Sequence, residues 1–243
     1  MVLEKLEQII EGSNNIVFFG GAGVSTESNI PDFRSPKGIY KTQKQYGISP
    51  EEMLGYTFFK NHTEEFYSFY KKNMIFTSAQ PNPAHLALAR LEKKGKLKAV
   101  ITQNIDGLHQ RAGSREVLEL HGSVYRNYCM DCGEKYDLDY VLEQEIVPKC
   151  EKCGGVVRPD VVLYEEGLNM DVIRKAIRYI SLADVLIIGG TSLAVYPAAG
   201  LIDYYQGNKL VLINKSKTPY DKRANLIIHD SIGKILGGIG DKE

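Results

Sequence analysis

The chain has 243 residues, with 30 Lys and Arg against 30 Asp and Glu and a formal net charge of zero. That balance offers no electrostatic footprint for nucleic acid or an anionic membrane surface, and no stretch approaches the ~20 apolar residues of a membrane span. The opening Met1-Val2-Leu3-Glu4-Lys5-Leu6 is amphipathic and lacks the apolar core of a secretory signal, so the expected location is the cytoplasm.

Leu3, Leu6, Ile9 and Ile10 recur at helical spacing up to Gly12. Ile16 to Phe19 is a short apolar run closed by glycines, the form of a buried strand, and Gly20-Gly21-Ala22-Gly23-Val24-Ser25 follows directly. The chain therefore opens as strand, glycine turn, helix, as Rossmann-like folds do. The dinucleotide fingerprint is only partly met. Thr26 stands where a third glycine is wanted, and no acid closes a second strand about twenty positions later. Alone, the turn fits a ligand-free connection as well as a site where Gly21, Ala22 and Gly23 present backbone N–H groups to a pyrophosphate at a helix N-terminus. Ile30-Pro31-Asp32-Phe33-Arg34-Ser35 reads as a proline-stiffened loop that covers a ligand beside that turn.

Residues 36 to 78 are rich in Tyr, Phe and Lys. Ser49-Pro50-Glu51-Glu52 marks a helix start, and Phe59, Thr63, Phe66 and Tyr70 share a helical face, which predicts the core of a small module. Pro81 to His85 starts another helix, where His85 caps or packs. Leu97 to Ile101 is a second core strand, and it delivers the chain to Thr102-Gln103-Asn104-Ile105-Asp106-Gly107-Leu108-His109. Amides, a carboxylate and an imidazole crowd there at a strand's C-terminal end, where open α/β sheets place their ligands. Val117 to Leu120 is a further strand and ends in His121-Gly122. His121 shares the placement of the polar loop and is the best general-base candidate, while His109 is expected to be structural.

Four cysteines fall as Cys129-x-x-Cys132 and Cys150-x-x-Cys153, each pair beside a glycine. Four thiolates fill the tetrahedral shell of zinc and leave no position for water, which predicts one structural Zn2+; reactive thiols or disulfides are the alternative. Val161 to Tyr164 reads as a half-buried strand and residues 168 to 182 as a helix. Val185 to Ile188 is a third buried strand, feeding Gly189-Gly190-Thr191-Ser192, and Leu210 to Ile213 is a fourth, ending at Asn214. Strands alternating with helices imply a mostly parallel sheet with right-handed crossovers. Polar residues at so many strand ends describe a nucleotide-sized crevice.

As an ordered set, Gly21-Ala22-Gly23-Val24-Ser25, Ile30 to Ser35, Thr102 to Asp106, His121-Gly122, the two Cys-x-x-Cys pairs, Gly190-Thr191-Ser192 and Asn214 resemble the sirtuin family, the NAD-dependent protein deacylases. The resemblance spans residues 20 to 214. It implies an α/β Rossmann-like domain (1–35, 79–122 and 158–243). A small domain, made of a helical module (36–78) and a zinc module (123–157), interrupts it. NAD and an acyl-lysine peptide would enter the cleft between them from opposite ends. Carried over by position, Gly21, Ala22 and Gly23 hold the pyrophosphate, Gly190, Ser192 and Asn214 the adenosine part, and Gln103 the nicotinamide ribose. Thr26, Asp32 and Thr191 are further cofactor contacts. Asn104, Ile105 and Asp106 line the nicotinamide pocket, with Asp106 accepting from the carboxamide, Phe33 shielding the reacting sugar carbon and Arg34 ordering its loop. Val161, Val162 and Tyr164 meet the peptide. His121, with Asn104, is catalytic: it takes a proton from a ribose hydroxyl once the acyl oxygen has displaced nicotinamide. The implied products are lysine, nicotinamide and O-acetyl-ADP-ribose.

Three positions depart from the family pattern. Asn29 replaces a glycine and tolerates positive φ. Glu165 follows Tyr164 where glycine is usual, which bears on peptide affinity or backbone geometry. Tyr67 and Tyr70 match a Tyr-x-x-Arg pair of the branch that removes acidic acyl groups; without that guanidinium, acetyl or other uncharged acyl chains are the expected substrates. A mono-ADP-ribosyltransferase with the same NAD site and a non-catalytic NAD or ADP-ribose sensor are the competing readings. A monomer is favoured.

Overall fold

The computed structural model describes residues 2–33, 38–39 and 47–239; Arg34 and Ser35 of the expected covering loop lie outside them. Its strands are β1 (Ile16–Gly20), β2 (Leu97–Thr102), β3 (Val117–Glu119), β4 (Gly122–Cys129), β5 (Lys135–Tyr136), β6 (Val157–Val161), β7 (Val185–Gly189), β8 (Leu210–Ile213) and β9 (Leu226–Ile228). Six of them form one sheet in the order β3-β2-β1-β7-β8-β9, and every pairing in it is parallel. The other three form an antiparallel sheet, β5-β4-β6. With that insertion set aside, the large sheet has the Rossmann order 3-2-1-4-5-6.

Every residue of β1, β7 and β8 is buried, as a parallel sheet covered on both faces requires. Alternation along β1 sends Phe18 to one face and Val17 and Phe19 to the other. Phe18 packs with Leu6, Leu88 and Leu236, and Phe19 with Ile180, Leu201 and Leu212. Each such side chain contributes about 1.5–3 kcal/mol when fully buried.

The small sheet has a different core. Phe59, Phe66, Tyr67, Phe69 and Tyr70, from helices Tyr56–Asn61 and Thr63–Asn73, pack with Val124, Cys129, Cys150 and Val157. Phe66 and Tyr67 meet edge-on with ring centroids 5.5 Å apart, an arrangement aromatic quadrupoles favour. One core therefore joins the segment before the large sheet's second strand to the cysteine-bearing segment.

Sequence and structure differ at four places. After the glycine turn the expected helix is two short 3-10 turns, Ala22–Val24 and Thr26–Ser28. They end at Asn29, whose φ of 63° is left-handed, and at Pro31, which has no N–H for a further turn. The aromatic face lies on two helices separated at His62, which has φ −135°. The strand expected at Val161–Tyr164 is instead Val157–Val161. The strand includes Pro159, whose missing N–H is tolerated because β6 is an edge strand. β9, an edge strand of the six-stranded sheet, has no counterpart among the expected strands; three residues are too few to show a period.

Candidate active site

The chain runs β1, β2, β3 outward in one direction, then returns to the other side of β1 for β7, β8 and β9. The order thus reverses at β1, and the crevice beyond the C-terminal ends of β1, β2 and β7 is the topological switch point. Gly20 pairs there with Thr102 on one side and Gly189 on the other, so the turn after β1, the polar loop after β2 and the turn after β7 all converge.

The two glycine turns touch. Gly23 N–H donates to the Gly190 carbonyl at 2.7 Å, and a Cβ on Gly23 would lie 2.7 Å from that oxygen and 2.8 Å from Gly190 Cα. Gly23 is thus needed for turn-on-turn packing, and its N–H is used within the protein. A Cβ on Gly21 would lie 2.9 Å from Thr191 Cβ, and Thr191 Oγ1 accepts from Gln103 Nε2 at 3.1 Å. Thr26 Oγ1 donates to the Gly23 carbonyl at 2.9 Å, which closes the first turn from inside.

The polar loop is cross-linked to the same turn. Asn104 Nδ2 donates to Ser25 Oγ at 3.0 Å, and Ser25 Oγ donates to Asp106 Oδ2 at 2.6 Å. Asp106 Oδ1 accepts from Leu108 N–H at 3.0 Å. Burial raises the Asp106 carboxyl above the ordinary range, against hydrogen bonds from Ser25, Leu108 and Asn104 and the charge of Arg111. Each carboxylate oxygen has a second lone pair, so Asp106 can still accept from an amide. Glycine turns, amides and a buried acceptor at a switch point fit an extended dinucleotide. Ser25 joins all of this together, yet sequence reading gave it no role; its place in the motif with Gly21 and Gly23 was the only signal.

His121 follows β3, and its Nδ1 lies 3.0 Å from the Gln103 carbonyl. A carbonyl only accepts, so Nδ1 carries the proton and Nε2 keeps its lone pair. Burial lowers the imidazole's pKa, opposed by the bond to Gln103, and so favours the neutral ring. Gly122, at φ 79°, is required next to it because a Cβ there would meet the Asp160 carbonyl at 1.9 Å. The His121 carbonyl accepts from Val162 N–H at 3.0 Å. The segment expected to meet peptide is therefore bonded directly to the backbone of His121.

Phe33 and Ile105 pack, partly buried, against the aromatic core. Asp32 accepts from Ile39 N–H at 2.8 Å through its carbonyl. Ser192 is exposed beside Thr191, and Asn214 Nδ2 donates to the Ser216 carbonyl at 2.8 Å, one strand further along the edge. Tyr67 and Tyr70 are 0% and 1% exposed, and Tyr67 donates to the Val157 carbonyl. Both rings belong to the aromatic core, and neither supplies a cation to a carboxylate-bearing acyl chain. His109 is buried edge-on against His85 at 4.7 Å, and His85 Nδ1 accepts from Asn82 N–H as part of a helix capping box.

Cys129, Cys132, Cys150 and Cys153 are unbridged, and their Sγ atoms lie within 4.8 Å of one another. The edge of a tetrahedron with Zn–S bonds of about 2.3 Å is about 3.8 Å. The Cys129–Cys153 and Cys132–Cys150 Sγ separations of 3.4 and 3.5 Å fit that figure. Asp131 N–H donates to Cys129 Sγ at 3.4 Å and the Tyr136 hydroxyl to Cys150 Sγ at 3.2 Å, the supporting donors that thiolate ligands take. The donor set suits one structural zinc ion, with no open position for chemistry.

The chain matches the Sir2 family over residues 21–197. It is 67% identical over 237 residues to the NAD-dependent protein deacetylase of Clostridium tetani, covering 97% of this chain and 96% of that one. Among solved structures, a Sir2 variant with deacetylated p53 peptide and 3'-O-acetyl ADP ribose is 42% identical with a TM-score of 0.88. A Sir2–p53 peptide–NAD+ complex is 42% identical with a TM-score of 0.86; each covers 97% of this chain and 96% of its own. The chain that carries this crevice and its four thiols therefore belongs to the Sir2 family.

Proposed function

We infer that this chain is an NAD-dependent protein-lysine deacetylase, which uses NAD to remove acetyl groups and releases nicotinamide, O-acetyl-ADP-ribose and the free lysine protein. The observation that carries the reading is His121, its Nδ1 proton fixed by the Gln103 carbonyl and its Nε2 left basic at the switch-point crevice. When bound, NAD supplies the ribosyl carbon, the hydroxyls and the leaving nicotinamide. The chain's own residues orient and exclude water. Asp106, Asn104 and Ile105 form the nicotinamide wall, with Asp106 accepting from the carboxamide. Gln103 meets the neighbouring ribose, Gly21 and Ala22 the pyrophosphate with Gly23 holding their turn against Gly190, and Gly190, Ser192 and Asn214 the adenosine part, with Thr191 a further cofactor contact. Phe33 screens the sugar, while Thr26 and Asp32 complete the turn and loop around it. His121 Nε2 takes the ribose hydroxyl proton. Alignment of the two reactants supplies several kcal/mol, and the base typically 10²–10⁴-fold in rate.

Val161, Val162 and Tyr164 offer the peptide-facing edge. The division into 1–35, 79–122 and 158–243 against 36–78 with 123–157 belongs to the same proposal, supported by the one aromatic core that the two inserts share. Acetyl and other uncharged acyl-lysine proteins are the proposed substrates, supported by the deacetylase relative. A cytoplasmic monomer without nucleic-acid binding completes the reading; among the described residues no helix is long and apolar enough to cross a membrane.

The test is incubation with NAD and an acetyl-lysine peptide, read by mass spectrometry. Deacetylated peptide and O-acetyl-ADP-ribose are expected in equal amounts; ADP-ribose transferred to protein without deacetylation would refute the reading in favour of a transferase. His121→Ala is expected to lower turnover at least ~100-fold while NAD affinity stays within about twofold. Retained turnover in that variant rules His121 out as the base.

A further inference from the structure

Glu165 is a non-glycine residue at φ 78°, a left-handed conformation that side-chain-bearing residues adopt rarely. Its carboxylate reaches back across the molecule. Oε2 accepts from Thr57 N–H at 2.9 Å and from the Thr57 hydroxyl at 2.7 Å, in the first turn of helix Tyr56–Asn61. Gly55, which precedes that helix, makes room for it: a Cβ there would lie 3.1 Å from Glu165 Oε1. The neighbouring backbone is joined to the same place. Tyr164 N–H donates to the Leu54 carbonyl and Tyr56 N–H to the Tyr164 carbonyl, both at 3.0 Å.

On the other side, Glu166 turns inward. It accepts from Arg158 Nη1 at 2.8 Å and Nη2 at 2.9 Å, and from Leu163 N–H at 2.8 Å. Residues 162–166 are therefore held from three directions: by the His121 carbonyl through Val162, by Arg158 of β6 through Glu166, and by the helical module through Tyr164 and Glu165. Only the last side-chain tie depends on a residue in a left-handed conformation.

We propose that Glu165 is a positioning residue for substrate: by clamping the segment 162–166 to Thr57 it presets the edge against which an acyl-lysine peptide lies. This rests on the assignment of Val161, Val162 and Tyr164 as the peptide-facing edge. A segment already ordered loses less freedom when peptide binds, so the clamp acts on peptide affinity, while the His121 ring is held by its own bond to the Gln103 carbonyl.

The test uses the full chain and a fluorescein-labelled acetyl-lysine peptide. Peptide Kd is measured by polarisation, with steady-state kcat and KM for peptide and NAD beside it. Glu165→Gly removes the clamp and relieves the left-handed position, so it folds; peptide Kd and KM are expected to rise roughly three- to tenfold, with kcat and the NAD KM within about twofold. Glu165→Gln keeps an acceptor oxygen for Thr57 and is expected within about twofold of wild type. Thr57→Val is expected to act in the same direction by about twofold, with no added effect on top of Glu165→Gly. Unchanged peptide Kd in Glu165→Gly overturns the proposal, as does a fall in melting temperature without an affinity change, which marks a purely structural tie. A wild type that binds the peptide without deacetylating it defeats the functional reading but leaves the clamp readable from Kd. A wild type that binds no peptide defeats both.

Discussion

In the six-stranded sheet the central strands are buried on both faces by aliphatic and phenyl side chains, whereas the three-stranded sheet is held by an aromatic cluster, four thiols and a buried guanidinium. The first draws on many interchangeable contacts of a few kcal/mol each. The second relies on a few that have no substitute. Arg158 is 7% exposed, lies 5.6–6.0 Å from the rings of Tyr56, Phe59 and Tyr128, and is neutralised bidentately by Glu166. The crevice proposed for the cofactor lies at the end of the larger sheet, and the surface proposed for peptide continues from an edge strand of the smaller one.

That contrast predicts where the molecule gives way first. Chelation, or Cys150→Ser, is expected to unfold the small sheet while the large one persists, lowering the first melting transition by about 10 °C or more. Hydrogen exchange resolved by segment checks it: uniform loss across both sheets would mean that the two parts do not differ in this way. Arg158→Met comes next. It leaves Glu166 without its partner and is expected to cost about 3–5 kcal/mol, read from urea unfolding; a cost below about 1 kcal/mol would show that the aromatic cage alone holds β6.

The large part has its own weak point, and it is acid. Burial lowers the His85 imidazole to about 4, and that of His109 well below 6.5 through burial and its His85 neighbour. A depressed histidine stays neutral in the folded state while the unfolded chain takes up the proton. Stability is therefore full above about pH 6.5 and declines as pH falls toward 4. For His85 the loss is on the order of 3 kcal/mol, and urea midpoints at pH 7.5 and 5 should show the decline. A midpoint that does not move between those two values would mean that the pair is protonated in the native state.

Much of this could be read before any coordinates. Apolar runs bounded by glycine located β1, β2, β7 and β8, because strands buried on both faces have near-continuous apolar sequence. Cys-x-x-Cys spacing announced the thiol cluster, because ligands two residues apart on a tight turn can share one ion. Short or edge strands such as β9 and β6 were missed or misplaced, since they show too little period or carry a proline that only an edge accepts. The role of Ser25 could not be read for a different reason: it comes from partners 79 and 81 positions away, Asn104 and Asp106.

The sequence by itself determined the parallel α/β class, the metal-type thiols, the residue types gathered at strand ends and, through their order, the family. Those properties are written in local composition and spacing. Only the tertiary structure decided that Gly23 is bonded to Gly190, that His121 carries its proton on Nδ1, that Tyr67 and Tyr70 are core, and that Glu165 reaches Thr57. Each of these depends on which carbonyl, ring or hydroxyl from a distant segment comes within about 3–5 Å, and parallel strands joined by long crossovers set such distances without leaving a trace in neighbouring residues.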